Sequence, residues 1–299
     1  MNDLAPIVLF VYNRPEHTAE TLQALKNNYL ACESELFIYS DAAKNDSVQN
    51  QVDKVRDLIS DVSGFKKVTV IKQTKNIGLA NSIISGVTEV VNKYGRVIVL
   101  EDDIVTSKYF IEFMNESLKI YRGCNVLSIS GCNYPIETKG IVNNTYFLRI
   151  PLCWGWATWS DKWSLFEKDL TQVANVTDSE KKYINFDGAH DYFKQAELNV
   201  TKEIDTWFIF WYITSMKYRM LTLFPKKSLV KNVGHDGSGD NCGNSNKFDV
   251  EVYNEKIQLT KIPIRECDIA YKNHLVFFKS IRVTFFMRIV NKFRSIFVK

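Results

Sequence analysis

Glu101, Asp102 and Asp103 stand side by side directly after the apolar run Val97-Ile98-Val99-Leu100. Carboxylates this close repel one another, and burial raises their pKa values further. A divalent cation relieves that repulsion, and oxygen-only ligands suit Mg²⁺ or Mn²⁺. A cation held against a phosphorylated substrate is therefore the chemistry this triplet could do. The plain alternative is a solvated acidic corner. The metal reading requires Asp103 to face a cavity and to be free of a Lys or Arg partner.

The elements around the triplet decide where it sits. Val97 to Leu100 has no polar alternation, which predicts a strand buried on both faces of a parallel sheet. Ile7 to Tyr12, Leu36 to Tyr39 and Val68 to Ile71 read the same way. Helical patterns run from Asn13-Arg14-Pro15-Glu16 through Leu30, from Ser47 to Ser60 and from Leu79 to Val91. Alternating strands and helices of these lengths imply right-handed βαβ units. Ligands in such sheets collect beyond the carboxyl ends of the strands. Three of those ends carry polar groups: Asn13-Arg14, Ser40-Asp41 and the acidic triplet.

Beyond Phe110 the pattern changes. Asn125 to Ser130 and Tyr146 to Ile150 read as strands, and Trp154-Gly155-Trp156-Ala157-Thr158-Trp159 is densely aromatic. Helical patterns follow at Gly188 to Asn199 and Asp205 to Tyr218, then a Gly/Asn/Ser-rich loop from Asn232 to Asn246. Of Trp154, Trp156, Trp159 and Trp163, Trp156 is the candidate for contact with a sugar, the others being expected in the core, while Trp207 and Trp211 after Asp205 make an aromatic setting that suits sugar stacking.

Composition narrows the partners. A net charge of +4 over 299 residues, with no nucleic-acid-binding motif, argues against a DNA or RNA binder. The six cysteines include no Cys-x-x-Cys pair, so free thiols in a reducing compartment are expected rather than a zinc site. No signal peptide or membrane span is legible, which predicts a cytoplasmic location. From Leu275 to Lys299 there is no Asp or Glu, while Lys279, Arg282, Arg288, Lys292, Arg294 and Lys299 punctuate a Phe/Ile/Val-rich run. That composition fits a basic helix on an anionic membrane surface, with a helix packed on the domain as the alternative. No Gly-x-Gly-x-x-Gly follows the first strand and no Gly-Lys-Ser/Thr loop is present, which disfavours dinucleotide and P-loop binding.

Ile7-Val-Leu-Phe-Val-Tyr-Asn13-Arg14-Pro-Glu resembles the opening strand of GT-A glycosyltransferases. The run Val97 to Asp103, followed by Phe110 and Phe113, resembles the N-acetylglucosaminyltransferase I group, whose metal motif is Glu-Asp-Asp. Similar segments continue in order through Ser128 to Asn133, Gly155-Trp156, Asp205-Thr-Trp207 and Gly234-His235-Asp236-Gly237. The resemblance implies that Asp103 binds the metal and that Glu101 and Asp102 face the donor's ribose or sugar hydroxyls. It implies that Asp41 accepts a hydrogen bond from a uracil imide and that Arg14 serves the uridine or diphosphate. Asp205 would be the catalytic base, with capping of the following helix as its plain alternative. His235 would reach the diphosphate from a loop that closes over the nucleotide.

The expected fold is α/β of GT-A type: a Rossmann-like, mixed but mainly parallel sheet flanked by helices. It would comprise one domain over residues 1–270, with a nucleotide-binding half (1–110) and an acceptor and catalytic-base half (111–270), then a basic tail (271–299). The expected activity is a metal-dependent inverting transfer from a UDP-sugar, with N-acetylglucosamine foremost, to a glycan or lipid-linked glycan of bacterial surface polysaccharide. A sugar nucleotidyltransferase and a non-catalytic nucleotide-sugar-binding module are the alternatives.

Overall fold

The computed structural model describes residues 4–238 and 245–282. Its first half alternates β1 (Ile7–Val11), α1 (Pro15–Lys26), β2 (Glu35–Ser40), α2 (Asp46–Leu58), β3 (Lys67–Lys72), α3 (Gly78–Tyr94) and β4 (Arg96–Glu101). Local chemistry sets the helix ends. Pro15 opens α1 with its backbone already at a helical angle. Asn45 caps α2 by accepting from the Ser47 amide, and Gly95, at φ +76°, closes α3 in a left-handed turn.

All five residues of β1 are buried because the strand is covered on both faces. Ile7, Leu9 and Val11 pack with Leu22 and Leu25 of α1 and Val55 of α2. Val8 and Phe10 point the other way, onto Ile83 and Val87 of α3. The alternating contacts follow from the two-residue period of a strand.

The second half contributes β5 (Ile104–Thr106), α4 (Phe110–Ile120), β6 (Val126–Ser130), β7 (Thr145–Leu148), β8 (Trp156–Trp159), α5 (Ser160–Trp163), α6 (Asp178–Ile184) and α7 (Lys194–Val200). It continues with α8 (Phe208–Lys217), β9 (Leu221–Pro225), β10 (Val230–Asn232) and α9 (Asp268–Ile281). The main sheet runs β3-β2-β1-β4-β8-β6-β9-β7, and β10 pairs with β5 in a separate ribbon. The pairs from β3 to β4 and the β6–β9 pair are parallel, whereas β8 runs antiparallel to both β4 and β6. The chain leaves β1 toward β2 and β3, then crosses back to β4 on the other side of β1. That reversal opens a crevice at the carboxyl ends of β1 and β4.

The aromatic stretch is a sheet strand, which was not expected. Trp156 pairs with Val99 of β4 and Ser130 of β6. It is 1% exposed and stacks on Trp207 at 5.2 Å, with Trp163 and Trp211 packed beside it. The sugar contacts expected at Trp156, Trp207 and Trp211 are therefore replaced by core packing: a central strand places its side chains between layers.

The boundary expected at residue 270 falls inside α9. Ala270, His274, Phe277 and Phe278 are buried, so this face of α9 packs on the domain, while Ile269 and Val276 stay exposed. Arg149 helps clamp this segment, stacking between Tyr183 and Tyr271 at 4.3 Å from each ring and donating to Glu266. Residues 283–299, the rest of the expected membrane contact, lie outside the described residues. No helix among the described residues is long and apolar enough to cross a membrane.

His274 is fully buried among the rings of Tyr134, Tyr146, Phe186, Phe224 and Phe278. Desolvation lowers its pKa from 6.5 to about 4, so the folded state holds it neutral where the unfolded chain takes a proton. The unfolded state binds more protons between those values, and stability falls as pH drops through that window. The urea midpoint of the parent should decline from pH 6.5 toward 4, and His274→Phe should flatten that decline.

Candidate active site

The carboxyl ends of β1, β2 and β4 frame a cavity lined by Arg14, Asp41, Glu101, Asp102 and Asp103 together. The fold thus assembles five of the residues singled out in the sequence. The backbone of the triplet is held from two sides. Thr21 of α1 donates its hydroxyl to the Asp102 carbonyl at 2.8 Å, and the Val233 amide donates to the Asp103 carbonyl at 2.9 Å.

Burial sets the electrostatics. Desolvation, with Asp103 and Asp102 adding repulsion, pushes Glu101 up to about 8. Glu101 therefore holds its proton more tightly than an ordinary carboxyl, and in that protonated form it can donate a hydrogen bond. Desolvation also raises Asp102, to about 6, against the pull of Arg14. Burial works to lower Arg14, yet Asp102 and Asp103 hold it above its ordinary value. Its guanidinium donates to Asp102 and, at 2.9 Å, to Oδ2 of Asp103.

This geometry meets one condition of the metal reading and fails the other. Asp103 faces the cavity, but Arg14 is its partner. The physical reason is that buried, adjacent carboxylates require a counter-charge, and the first residue turn after β1 supplies one. Among the described residues no three His, Cys, Asp or Glu side chains converge as a metal cage. Arg14 takes Oδ2 of Asp103, so a cation could reach this carboxylate only through Oδ1 and only as the guanidinium gives way.

Asp41 has another occupation than the one expected. Oδ1 accepts from the amides of Ala42 at 2.9 Å and Ile77 at 3.0 Å. Oδ2 accepts from the Gly78 amide at 2.9 Å and from Asn76 Nδ2 at 3.1 Å. A carboxylate offers about four lone-pair sites, and all are filled. Asp41 braces the start of α3, where Gly78 adopts φ +78°, a conformation that favours glycine. An imide could bond it only by displacing one of these donors.

His235 and Asp205 are not among the residues that line the cavity. The His235 ring stacks on Phe248 at 5.0 Å and meets Trp154 edge-on at 5.3 Å, with Nε2 buried and without a hydrogen-bond partner among the described residues. Burial lowers its pKa against the opposing charge of Asp103 and Asp249. Its loop is nonetheless docked on the site: Asp236 pairs with His17 of α1 at 3.2 Å, and Ser238 lines the cavity. Asp205 is exposed and paired with Lys168. It does not cap α8, whose N-cap position is Trp207 with no side-chain cap hydrogen bond.

Several lining residues had escaped notice, among them Tyr12, Lys44, Asn76, Ser82 and Ser238. Asn76 and Ser82 were foreshadowed by the loop that opens α3 at the carboxyl edge of the sheet. Ser238 was not singled out, but it belongs to the Gly/Asn/Ser-rich loop expected to close over the nucleotide, which the β5–β10 ribbon brings to β4.

That ribbon delivers Gly234 against the triplet. A Cβ there would lie 2.1 Å from Asp103 Oδ2 and 2.9 Å from Arg14 Nη1. Close approach, not backbone angle, is what demands glycine. Gly234→Ala should displace the loop or the Arg14–Asp103 pair, raising the dissociation constant of a nucleoside diphosphate by about tenfold or more, as a loss above 1.4 kcal/mol implies. Calorimetry on the folded variant reads this directly.

Residues 7–169, more than half of the chain, match the model of glycosyl transferase family 2. The match is to the family as a whole and does not single out the N-acetylglucosaminyltransferase I group. No curated protein is significantly similar. Among solved structures, the mannosyltransferase PcManGT from Pyrobaculum calidifontis, in complex with GDP-Man and Mn²⁺, is 14% identical with a TM-score of 0.40, over 72% of each chain. S. aureus TarS is 13% identical at 0.36, covering 65% of this chain and 34% of TarS. A UDP-glucose pyrophosphorylase complexed with UDP-glucose is 10% identical at 0.38, covering 74% of this chain and 90% of that one. At such scores these likenesses carry no argument about activity, and the family match does the assigning. The strand-end cavity sits within the matched span at β1, β2 and β4, and the chain belongs to glycosyl transferase family 2, as a glycosyltransferase of the GT-A fold.

Proposed function

We propose that the cavity binds a UDP-sugar, UDP-N-acetylglucosamine foremost, and that the enzyme transfers the sugar with inversion to a glycan or lipid-linked glycan. The observation that carries this reading is the convergence of Arg14, Glu101, Asp102 and Asp103 on one crevice at the carboxyl end of the sheet. Asp103, through the oxygen that Arg14 leaves open, would hold Mn²⁺ or Mg²⁺ jointly with the donor's diphosphate. A cation bound there neutralises the negative charge that develops on the departing nucleoside diphosphate. Arg14, released in part from Asp103, would turn its guanidinium to the same phosphates. Glu101, in its protonated form, and Asp102 are suited to ribose or sugar hydroxyls.

Asp205 is the proposed general base, taking the acceptor hydroxyl's proton on the face opposite the leaving group. It precedes Trp207, which stacks on Trp156 of β8 beside β4, so its segment is tied to the strand that carries the triplet. Lys168 must yield for that role. The basic, acid-free composition of residues 275–299 supports an acceptor at an anionic membrane surface. The two halves, 1–110 and 111–270, would then bind donor and acceptor respectively, with α9 belonging to the second.

Titration calorimetry with UDP checks the donor site. Binding should strengthen at least tenfold with Mn²⁺, and Asp103→Asn should abolish that gain; equal affinity with and without metal removes the cation from the proposal. Asp205→Asn should keep UDP affinity within about twofold while transfer drops by roughly a hundred- to ten-thousandfold, the usual worth of a general base. Transfer at the parental rate would return Asp205 to the surface.

A further inference from the structure

α9 has two faces of different kinds. Ala270, His274, Phe277 and Phe278 are its buried side. Ile269, Lys272, Val276 and Lys279, spaced at the helical period, are all exposed and form a stripe along the other side. A helix face turned to water ordinarily carries polar residues throughout. Here isoleucine and valine alternate with lysine, and Val276 is 68% exposed.

The apolar stripe continues off the helix. Val142, in the segment that leads into β7, is 92% exposed and shares with Ile269 an open groove of about 470 Å³, with Arg265 on its wall. The segment is held against the helix at two points. A Cβ on Gly140 would lie 3.5 Å from Ile269 Cδ1, and Asn273 donates to the Glu137 carbonyl at 2.6 Å. Val142 and Val276 are the two most exposed large apolar side chains among the described residues, and Ile269 connects them. Single exposed apolar residues are ordinary, whereas a connected set rimmed by charge marks an interaction surface.

The rim is mainly basic. Lys139, Arg265, Lys272 and Lys279 are exposed there, against Glu137 and Asp268, while Glu266 is neutralised by Arg149. The sequence that follows α9 adds Arg288, Lys292, Arg294 and Lys299 and no acid. A second copy of the chain is a poor occupant, because a twofold contact would turn Lys272 and Lys279 toward their own images. Resting on the membrane-surface part of the function proposed above, we infer that the outer face of α9, together with Val142, is the surface by which the chain docks on an anionic lipid bilayer. Val142, Ile269 and Val276 enter the headgroup boundary there. The lysine stems lie along the apolar surface and carry their ammonium groups to the lipid phosphates.

The experiment is co-sedimentation of the full chain with phosphatidylcholine vesicles, with and without phosphatidylglycerol. The parent should bind only the vesicles that contain phosphatidylglycerol. Lys272→Gln with Lys279→Gln should weaken that binding about fivefold for each lysine removed, the worth of about 1 kcal/mol per cation at such a surface. Val142→Glu with Val276→Glu should weaken it about tenfold or more, and both variants should melt at the parent's temperature because the positions are exposed. Parental binding by both variants overturns the inference and leaves membrane contact to the residues beyond α9. Equal binding to vesicles without phosphatidylglycerol overturns it, as does a loss of binding that comes with a lower melting temperature. A lipid-free dimer that Val142→Glu with Val276→Glu dissolves assigns the face to a second copy instead. If the parent binds neither vesicle, the membrane-surface part of the proposed function falls as well, while UDP calorimetry still judges the donor site.

Discussion

Three adjacent carboxylates at the end of a buried strand are an electrostatic liability, and the molecule is arranged around managing it. β4 is covered on both faces, so the triplet emerges into a partly desolvated crevice where its charges are hard to sustain. Protonation of Glu101 removes one charge, and Arg14, from the turn after β1, sits against the other two. On the proposed function, that neutralisation is what a cation and a diphosphate would exchange with. A site held together by a removable counter-charge is well matched to a ligand that carries both phosphates and a metal.

The architecture around the triplet follows from where its backbone is tied. Thr21 of α1 bonds the Asp102 carbonyl on one side, and the β5–β10 ribbon carries the Val233 amide to the Asp103 carbonyl on the other. The ribbon therefore links residues more than a hundred positions apart in sequence to the strand end, and it seats Gly234 where no side chain fits. Asp41 performs the corresponding task one strand over, spending its lone pairs on the first amides of α3. Rigidity at this edge of the sheet thus comes from hydrogen bonds to the main chain, which leave the side chains of Arg14, Glu101 and Asp103 to line the cavity.

The aromatic residues do different work from what their number suggests. Trp156, Trp163, Trp207 and Trp211 form one buried cluster that joins β8, α5 and α8 to the face of β4. That cluster fixes the position of the second half of the chain relative to the triplet. The rings of α9 close the opposite face, with Phe277 and Phe278 in the main core and Arg149 clamped between Tyr183 and Tyr271.

The βαβ half was legible from local pattern because each element there is specified by its own residues. Apolar runs without alternation marked β1, β2 and β4, and turn residues marked their ends, so the placement of Arg14, Asp41 and the triplet at one sheet edge could be read in advance. β8 and β9 were not seen, since a tryptophan-rich segment between long connections has no distinctive period and owes its strand form to partners on either side. The basic, aromatic run at the C-terminus suggested a surface helix, yet burial of Phe277 and Phe278 depends on a groove that only the folded sheet provides. By itself the sequence determined the chemistry at the strand ends, because charge type and spacing are local properties. The tertiary structure alone decided that Arg14 would oppose Asp103 and that Asp41 would be saturated, because hydrogen-bond partners are chosen by distance in space.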